Sequence, residues 1–276
     1  MSKLLSANFL RLKHSKLFWA GMLLMFLFGL LPVLSQYNMH VRYGYDTVLD
    51  STLFSYAILI GMVTAIFTSL FVGTDYSDGT IRNKLIVGHT RIAIYLANLV
   101  TMGAAALLFC LSCLTSTLAF GLPLLGAPVA GLQTLCLMLF GSLLLAVAFA
   151  AIFTLVSMVC SNKAAVAIIC LVLLMLLMIF SSWIVAMLAE PEFYENYALT
   201  GDGEIEVIEN VRNPRYPTGV WRDVLEFLND FLPTGQSMQY SQMQVAHPWL
   251  LVLWSFLIAL GTTLAGVLVF RRKDIQ

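Results

Sequence analysis

The chain has 276 residues, 60% of them hydrophobic and only 11% charged, with a mean hydropathy of +0.88. Soluble domains carry roughly 25% charged residues, so this composition excludes an ordinary water-soluble fold and predicts a multi-spanning membrane protein. Fifteen Lys and Arg balance fifteen Asp and Glu, which leaves no basic excess to hold nucleic acid.

Residues 2–16 come first. Leu5, Phe9 and Leu12 fall on one narrow helical face, with Lys3, Arg11, Lys13 and His14 on the others. That pattern suits a helix lying in the headgroup layer, apolar face down, in contact with membrane lipids. The apolar run that follows ends in no small-residue cleavage pattern, so it reads as a span rather than a signal peptide. Six such runs are expected, at about 17–35, 53–72, 92–122, 132–160, 164–189 and 248–270, and none contains Asp, Glu, Lys or Arg. Each reaches the roughly 17–25 residues a helix needs to cross the hydrocarbon layer. The third and fourth are long enough to tilt or to project beyond it. Ser161-Asn162-Lys163 joins the fourth run to the fifth so tightly that a close antiparallel hairpin is expected there.

Between the second and third runs lies the most polar short stretch before residue 190, Gly73 to Arg91. Thr74 or Ser77 can cap a helix that begins just after it, and Asp78 then falls in the first turn, where negative charge suits the helix dipole. Asp78 and Arg82 are spaced to pair on one face, Ile81 and Leu85 share another, and Gly88 suits a left-handed C-cap. The spacing predicts a short amphipathic helix held between two spans.

Two segments lie on the other side. Residues 36–52 form a short loop with Arg42, Asp46 and Asp50. Residues 190–247 hold ten acidic residues against three Arg. There Gly201-Asp202-Gly203 reads as a turn and Glu204-Ile-Glu-Val as a short strand. Trp221, Val224, Leu225, Leu228, Phe231 and Leu232 recur at helical spacing, and Pro233-Thr-Gly235 is expected to break that helix. Counting Lys and Arg on alternate sides gives eleven on the side of the termini and of Gly73 to Arg91, against four on the other. The positive-inside rule then puts both termini in the cytoplasm. The expected fold is an all-α polytopic membrane protein with six spans, N-in and C-in, forming one domain over 1–276.

Phe71-Val-Gly-x-Asp-Tyr-Ser-x-Gly-Thr-Ile-Arg-Asn-Lys-Leu85, then Gly88-His-Thr-Arg91 and Ile94-Tyr-Leu-Ala-Asn98, resembles the second-to-third-span region of ABC-2-type transporter permeases. Asp230-Phe-Leu-Pro-Thr-Gly-Gln236 is similar to the segment before the last span in the same family, where short helices dip into the outer leaflet. The resemblance implies a bacterial plasma-membrane permease paired with a second permease, identical or not, and with separate ATP-hydrolysing subunits. It makes Gly73 to Arg91 a cytoplasmic coupling helix, with Asp75, Tyr76, Asp78, Gly79, Thr80, Ile81, Arg82 and Asn83 contacting the ATPase. It makes Thr64 and Thr68 lining residues of the route, and Leu225, Leu228 and Pro233 parts of an extracellular gate. Export of an antimicrobial peptide, a lipid or a drug is what relatives imply.

The residues themselves carry little chemistry. There is no G-x-x-x-x-G-K-[ST] loop, so no nucleotide cofactor is expected in this chain and ATP falls to the partner. Cys110 and Cys113 form a C-x-x-C, but inside an apolar run that disfavours a thiolate, so neither metal nor disulfide is expected. Ion-driven pumps place ionisable groups within the bilayer, and these runs have none, so the driving force is expected from elsewhere. An autonomous channel or carrier, and a non-transporting scaffold or sensor, are the alternatives to the exporter.

Overall fold

The computed structural model describes residues 1–199 and 205–273 and is mostly helical. In chain order it holds α1 (Ser2–His14), α2 (Lys16–Tyr43), α3 (Asp50–Leu53), α4 (Tyr56–Ser77), α5 (Thr80–Ile86), α6 (Arg91–Leu125), α7 (Leu132–Val159) and α8 (Lys163–Leu188). An antiparallel hairpin of β1 (Phe193–Leu199) and β2 (Ile205–Arg212) follows, then α9 (Val220–Phe231), α10 (Pro233–Gln242) and α11 (Pro248–Arg272). Six stretches are long and apolar enough to cross a membrane: α2, α3 with α4, α6, α7, α8 and α11.

The spans start and stop close to the apolar runs, with one large difference. Helix α2 continues through Gln36–Tyr43, which the apolar run leaves out as loop, and ends at Gly44 in the left-handed region. The apolar run stops because the side chains turn polar. The backbone hydrogen bonds need no such change, so the helix runs on past the apolar run.

The second span is the centre of the bundle. About two thirds of its most apolar stretch is buried (67%), against 22% for α2 and α8 and 11% for α11. It packs on α6, α7, α8 and α10, and α7 packs chiefly on α11. The close α7–α8 hairpin expected from the tight join therefore does not form. Asn162 caps α8, its side chain accepting from the Ala164 and Ala165 amides at 2.9 and 3.2 Å. The two helices then diverge around α4, whose Gly61 meets Phe149 of α7 and Leu174 of α8. Hydroxyls close the α2–α6 seam, with Ser112 donating to the Met22 carbonyl at 2.8 Å and Thr117 to that of Gly29 at 3.2 Å. Small and hydroxyl residues are the usual material of helix contacts in lipid. Phe18, Phe67 and Phe109 fill the space among α2, α4 and α6.

At the end away from the termini, Asp50 accepts from the Val129 and Ala130 amides at 2.7 and 3.2 Å and ties the α6–α7 loop to α3. The turn expected at Gly201 to Gly203 lies outside the described residues. The strand expected from Glu204 runs from Ile205, and its partner β1 carries no comparable alternation. The expected break is present, since α9 ends at Phe231. The chain turns at Leu232, whose backbone is extended, and restarts with Pro233 as the first residue of α10. That position suits proline, since the missing N–H would have had no helical partner.

Helix α10 is polar yet almost wholly buried, wedged among α4, α7, α8 and α9. Thr234 donates to the Leu177 carbonyl at 3.0 Å and its hydroxyl lies 2.6 Å from that of Ser181. Ser255 of α11 donates to Gln236 at 2.6 Å. The amide of Gln239 reaches the buried Asp230 carboxylate at 2.9 Å. Tyr240 sits so close to α7 that a methyl group on Gly141 would overlap its hydroxyl.

Candidate functional site

The site grows from the short helix α5 at the end of the bundle where the two termini meet. Its start is later than the spacing predicts. Thr74 and Ser77 are still inside α4, Thr74 donating to the Phe71 carbonyl at 2.7 Å, so neither caps α5. Gly79, at φ +66°, makes the break, and α5 begins at Thr80. Asp78 is thereby left outside the helix. It takes a hydrogen bond from Ser77 at 3.1 Å, and among the described residues it forms no ion pair with Arg82. The far end agrees with expectation. Gly88, at φ +95°, donates to the Leu85 carbonyl at 2.9 Å and His89 to that of Lys84 at 3.1 Å, the paired bonds of a Schellman cap.

Beneath α5 lies a buried polar hub centred on Asp75, which is wholly buried. Its carboxylate takes Arg11 from α1, Lys84 from α5 at 3.1 Å and the Thr80 hydroxyl at 2.8 Å. Arg11 also donates to the Phe71 carbonyl at 2.6 Å and stacks over the Phe71 ring. Burial draws Arg11 down to about 10, although Asp78 opposes the change. Burial, with the Arg11 charge beside it, draws Lys84 down to about 8. Asn8 donates to Asn98 of α6 at 2.8 Å, and the Asn98 amide reaches the Met158 sulfur at 3.3 Å.

The last residues of the described chain close the other flank. Tyr76 donates to the Met158 carbonyl at 2.5 Å, and Lys273 donates to both the Tyr76 hydroxyl and that carbonyl, at 3.1 and 3.2 Å. Burial lowers the Lys273 pKa. Arg91 donates to the Lys273 carbonyl.

This packing turns α1 relative to its expected setting. Leu4, Asn8 and Leu12 face inward, Leu5 is half-buried, and Phe9 is exposed. Apolar spacing alone chooses Leu5, Phe9 and Leu12. The partners for Asn8 and Arg11 in the bundle rotate the helix by about one residue.

The eight residues expected on the docking surface therefore separate. Asp75 and Ile81 are buried, Tyr76 and Thr80 are half-buried and bonded inward, and Gly79 is half-buried. Asp78, Arg82 and Asn83 are exposed. Beside them stand two residues that the sequence reading passes over, Ile86 at 74% and Val87 at 77% exposure. An apolar pair in water next to an amide and two charges is the composition of an interface core with a polar rim. Their available signal was position: both lie at the helix end, clear of the Ile81–Leu85 face.

The other expected residues lie elsewhere. Thr64 and Thr68 are buried within the bundle, and Thr64 donates back to the Ile60 and Gly61 carbonyls at 2.6 and 3.0 Å. Facing outward from α4 are Ile58, Met62 and Ile66. With Leu23, Leu27 and Leu31 of α2, Met62 and Ile66 border an apolar groove of about 540 Å³. Leu225 and Pro233 are buried at the α9–α10 corner, and Leu228 is half-buried there.

Residues 4–177 match the family model described as ABC-2 family transporter protein. That stretch is more than half of the chain and runs from α1 into α8, so it includes α5 and its polar seat. No curated protein matches the chain.

Proposed function

The chain belongs to the ABC-2 family of transporter proteins, as a membrane permease, and from that premise we propose that it works as the spanning subunit of an ATP-driven exporter, powered by a separate ATPase docked on α5. The observation that carries this reading is the exposed strip of Asp78, Arg82, Asn83, Ile86 and Val87. It projects at the end of the molecule where the Lys- and Arg-rich segments gather, which the positive-inside rule assigns to the cytoplasm. The ATPase would close on binding ATP and push α5, and α4 would carry that displacement into the middle of the bundle.

A second permease, the same or a sister chain, would complete the route against the α2–α4 groove. Its lining is apolar and uncharged, which suits an amphipathic cargo such as a lipid-like molecule or an antimicrobial peptide better than a small ion. Thr64 and Thr68 would join that lining only when the helices around α4 separate. Leu225, Leu228 and Pro233 would hold the outer end closed by seating α10 among the spans.

The test is affinity purification of the chain from its native membrane. An ATPase with a phosphate-binding loop should accompany wild type and be lost from Ile86→Asp and Val87→Asp, since each places a charge in the apolar centre of the strip. Full retention by both variants would remove α5 from the interface.

A further inference from the structure

Helix α5 is seven residues long and joined to its neighbours through glycines in the left-handed region, Gly79 at φ +66° and Gly88 at φ +95°. A helix that short holds little stability of its own. Of its side chains only Ile81 is fully buried. A lever so attached would swivel on its two joints and dissipate any push. Besides the packing of Ile81 and Leu85 against the core, what opposes this is one carboxylate. Asp75 belongs to the last turn of α4, yet it binds Lys84 and Thr80 of α5 on one side and Arg11 of α1 on the other. The Thr80 hydroxyl also reaches the Asp75 backbone carbonyl at 3.0 Å, and Lys84 lies 3.4 Å from the Asn8 side chain.

We propose that Asp75 is a positioning residue that clamps α1, the end of α4 and α5 into one mechanical unit, so that a displacement of α5 reaches the central span without being lost at the glycine joints. This rests on the coupling reading above, and assigns Asp75 an internal role in place of a contact with the ATPase. An asparagine there has nearly the same shape and still accepts from Thr80, but it no longer balances two cations. The N-terminal helix becomes part of the transmission, since Arg11 and Asn8 tie it to the same hub.

Spin labels at Lys13→Cys on α1 and Arg82→Cys on α5, both exposed positions, read the clamp directly in the chain without its ATPase, because Arg82 belongs to the docking strip. The background carries serine at Cys136 and Cys160, the two cysteines that are not buried. The distance distribution should be narrow in the otherwise unaltered chain. Lys84→Arg, which keeps the charge, should stay narrow. Asp75→Asn and Lys84→Met should both be broad, and the same two variants without labels should still retain the ATPase, a pattern that general misfolding would not give. If Asp75→Asn does not accumulate, Lys84→Met alone decides, because Arg11 still neutralises Asp75 in that variant. Narrow distributions in Asp75→Asn and Lys84→Met overturn the proposal. A chain that retains no ATPase overturns the coupling reading instead, and the label distances in the chain alone then still decide whether the clamp exists.

Discussion

At the scale of single residues, the hub under α5 sets one anion against two cations. Surface ion pairs contribute about 0–1 kcal/mol, whereas taking one partner from a buried pair costs about 3–5 kcal/mol. Arg11 is 35% exposed and partly solvated, so the loss of Asp75 belongs below that upper range. Lys84, at 17%, is the cation that depends on the hub most. Its folded pKa of about 8 lies below the ordinary 10.5. Between those values the unfolded chain binds a proton that the folded chain does not, so this group makes stability rise with pH across that window. Below about 8 both states are protonated and the contribution is flat. Denaturation of the detergent-solubilised protein at about pH 7 and about pH 10 should show a rise in wild type that is smaller in Lys84→Met. Equal rises in the two proteins would refute the assignment. Asp75 follows Phe71 and Val72 on the buried face of α4 by one turn, but the polar residues from Gly73 to Gly79 around it mask that face in the sequence. Arg11, 64 positions away, is brought to it by the packing of α1 on α6, and Lys84, nine positions on, by the chain break at Gly79 between α4 and α5.

Elements show the same contrast between local pattern and tertiary context. The α9 stripe was readable from the recurrence of Leu225, Leu228 and Phe231, since one face of that helix has to be covered. Helix α10 was not legible from periodicity, because Thr234 to Gln242 contains no apolar period, and only the resemblance at Asp230 to Gln236 pointed to short helices there. Its burial is made possible by hydroxyls and amides contributed by other helices, Ser181 and Ser255 among them, and no local rule anticipates partners more than 15 residues away. The stripe itself is uneven. Leu225 is fully buried and Leu228 only half-buried. Burying a leucine contributes about 1.5–3 kcal/mol, so Leu225→Glu should lose at least that much, and Leu228→Glu distinctly less. Chemical denaturation of both variants in one detergent checks the order. Equal losses, or the reverse order, would contradict the placement of α9.

For the whole molecule, long apolar runs make the six spans legible, because a helix crossing hydrocarbon must present apolar side chains on nearly all faces. Which spans touch is not written in the runs. The tight Ser161-Asn162-Lys163 join suggests α7 against α8, yet α4 takes the place between them through Gly61. Orientation follows from the Lys and Arg count and has a direct check. A cysteine at Glu192 should react with an impermeant reagent added to intact cells, whereas one at Val87 should react only after permeabilisation. Both positions are exposed in the chain itself, and the Val87 position is read in cells without the ATPase, which would otherwise cover it. The opposite pattern would place α5 on the outer face and remove the proposed ATPase site with it.

The contacts of α1 also impose a timetable on biosynthesis. Arg11 waits for a carboxylate 64 residues later in the chain, and Asn8 for an amide 90 residues later. At synthesis rates of about 5–20 residues per second, the interval to Asp75 is roughly 3–13 s. Through that interval α1 lacks the partners that its polar face has in the fold, and the headgroup layer is left to receive it. Only when the second span is in the bilayer and Lys84 has emerged can the hub close. Helix α1, made before α4 and α5, thus reaches its final place only after both.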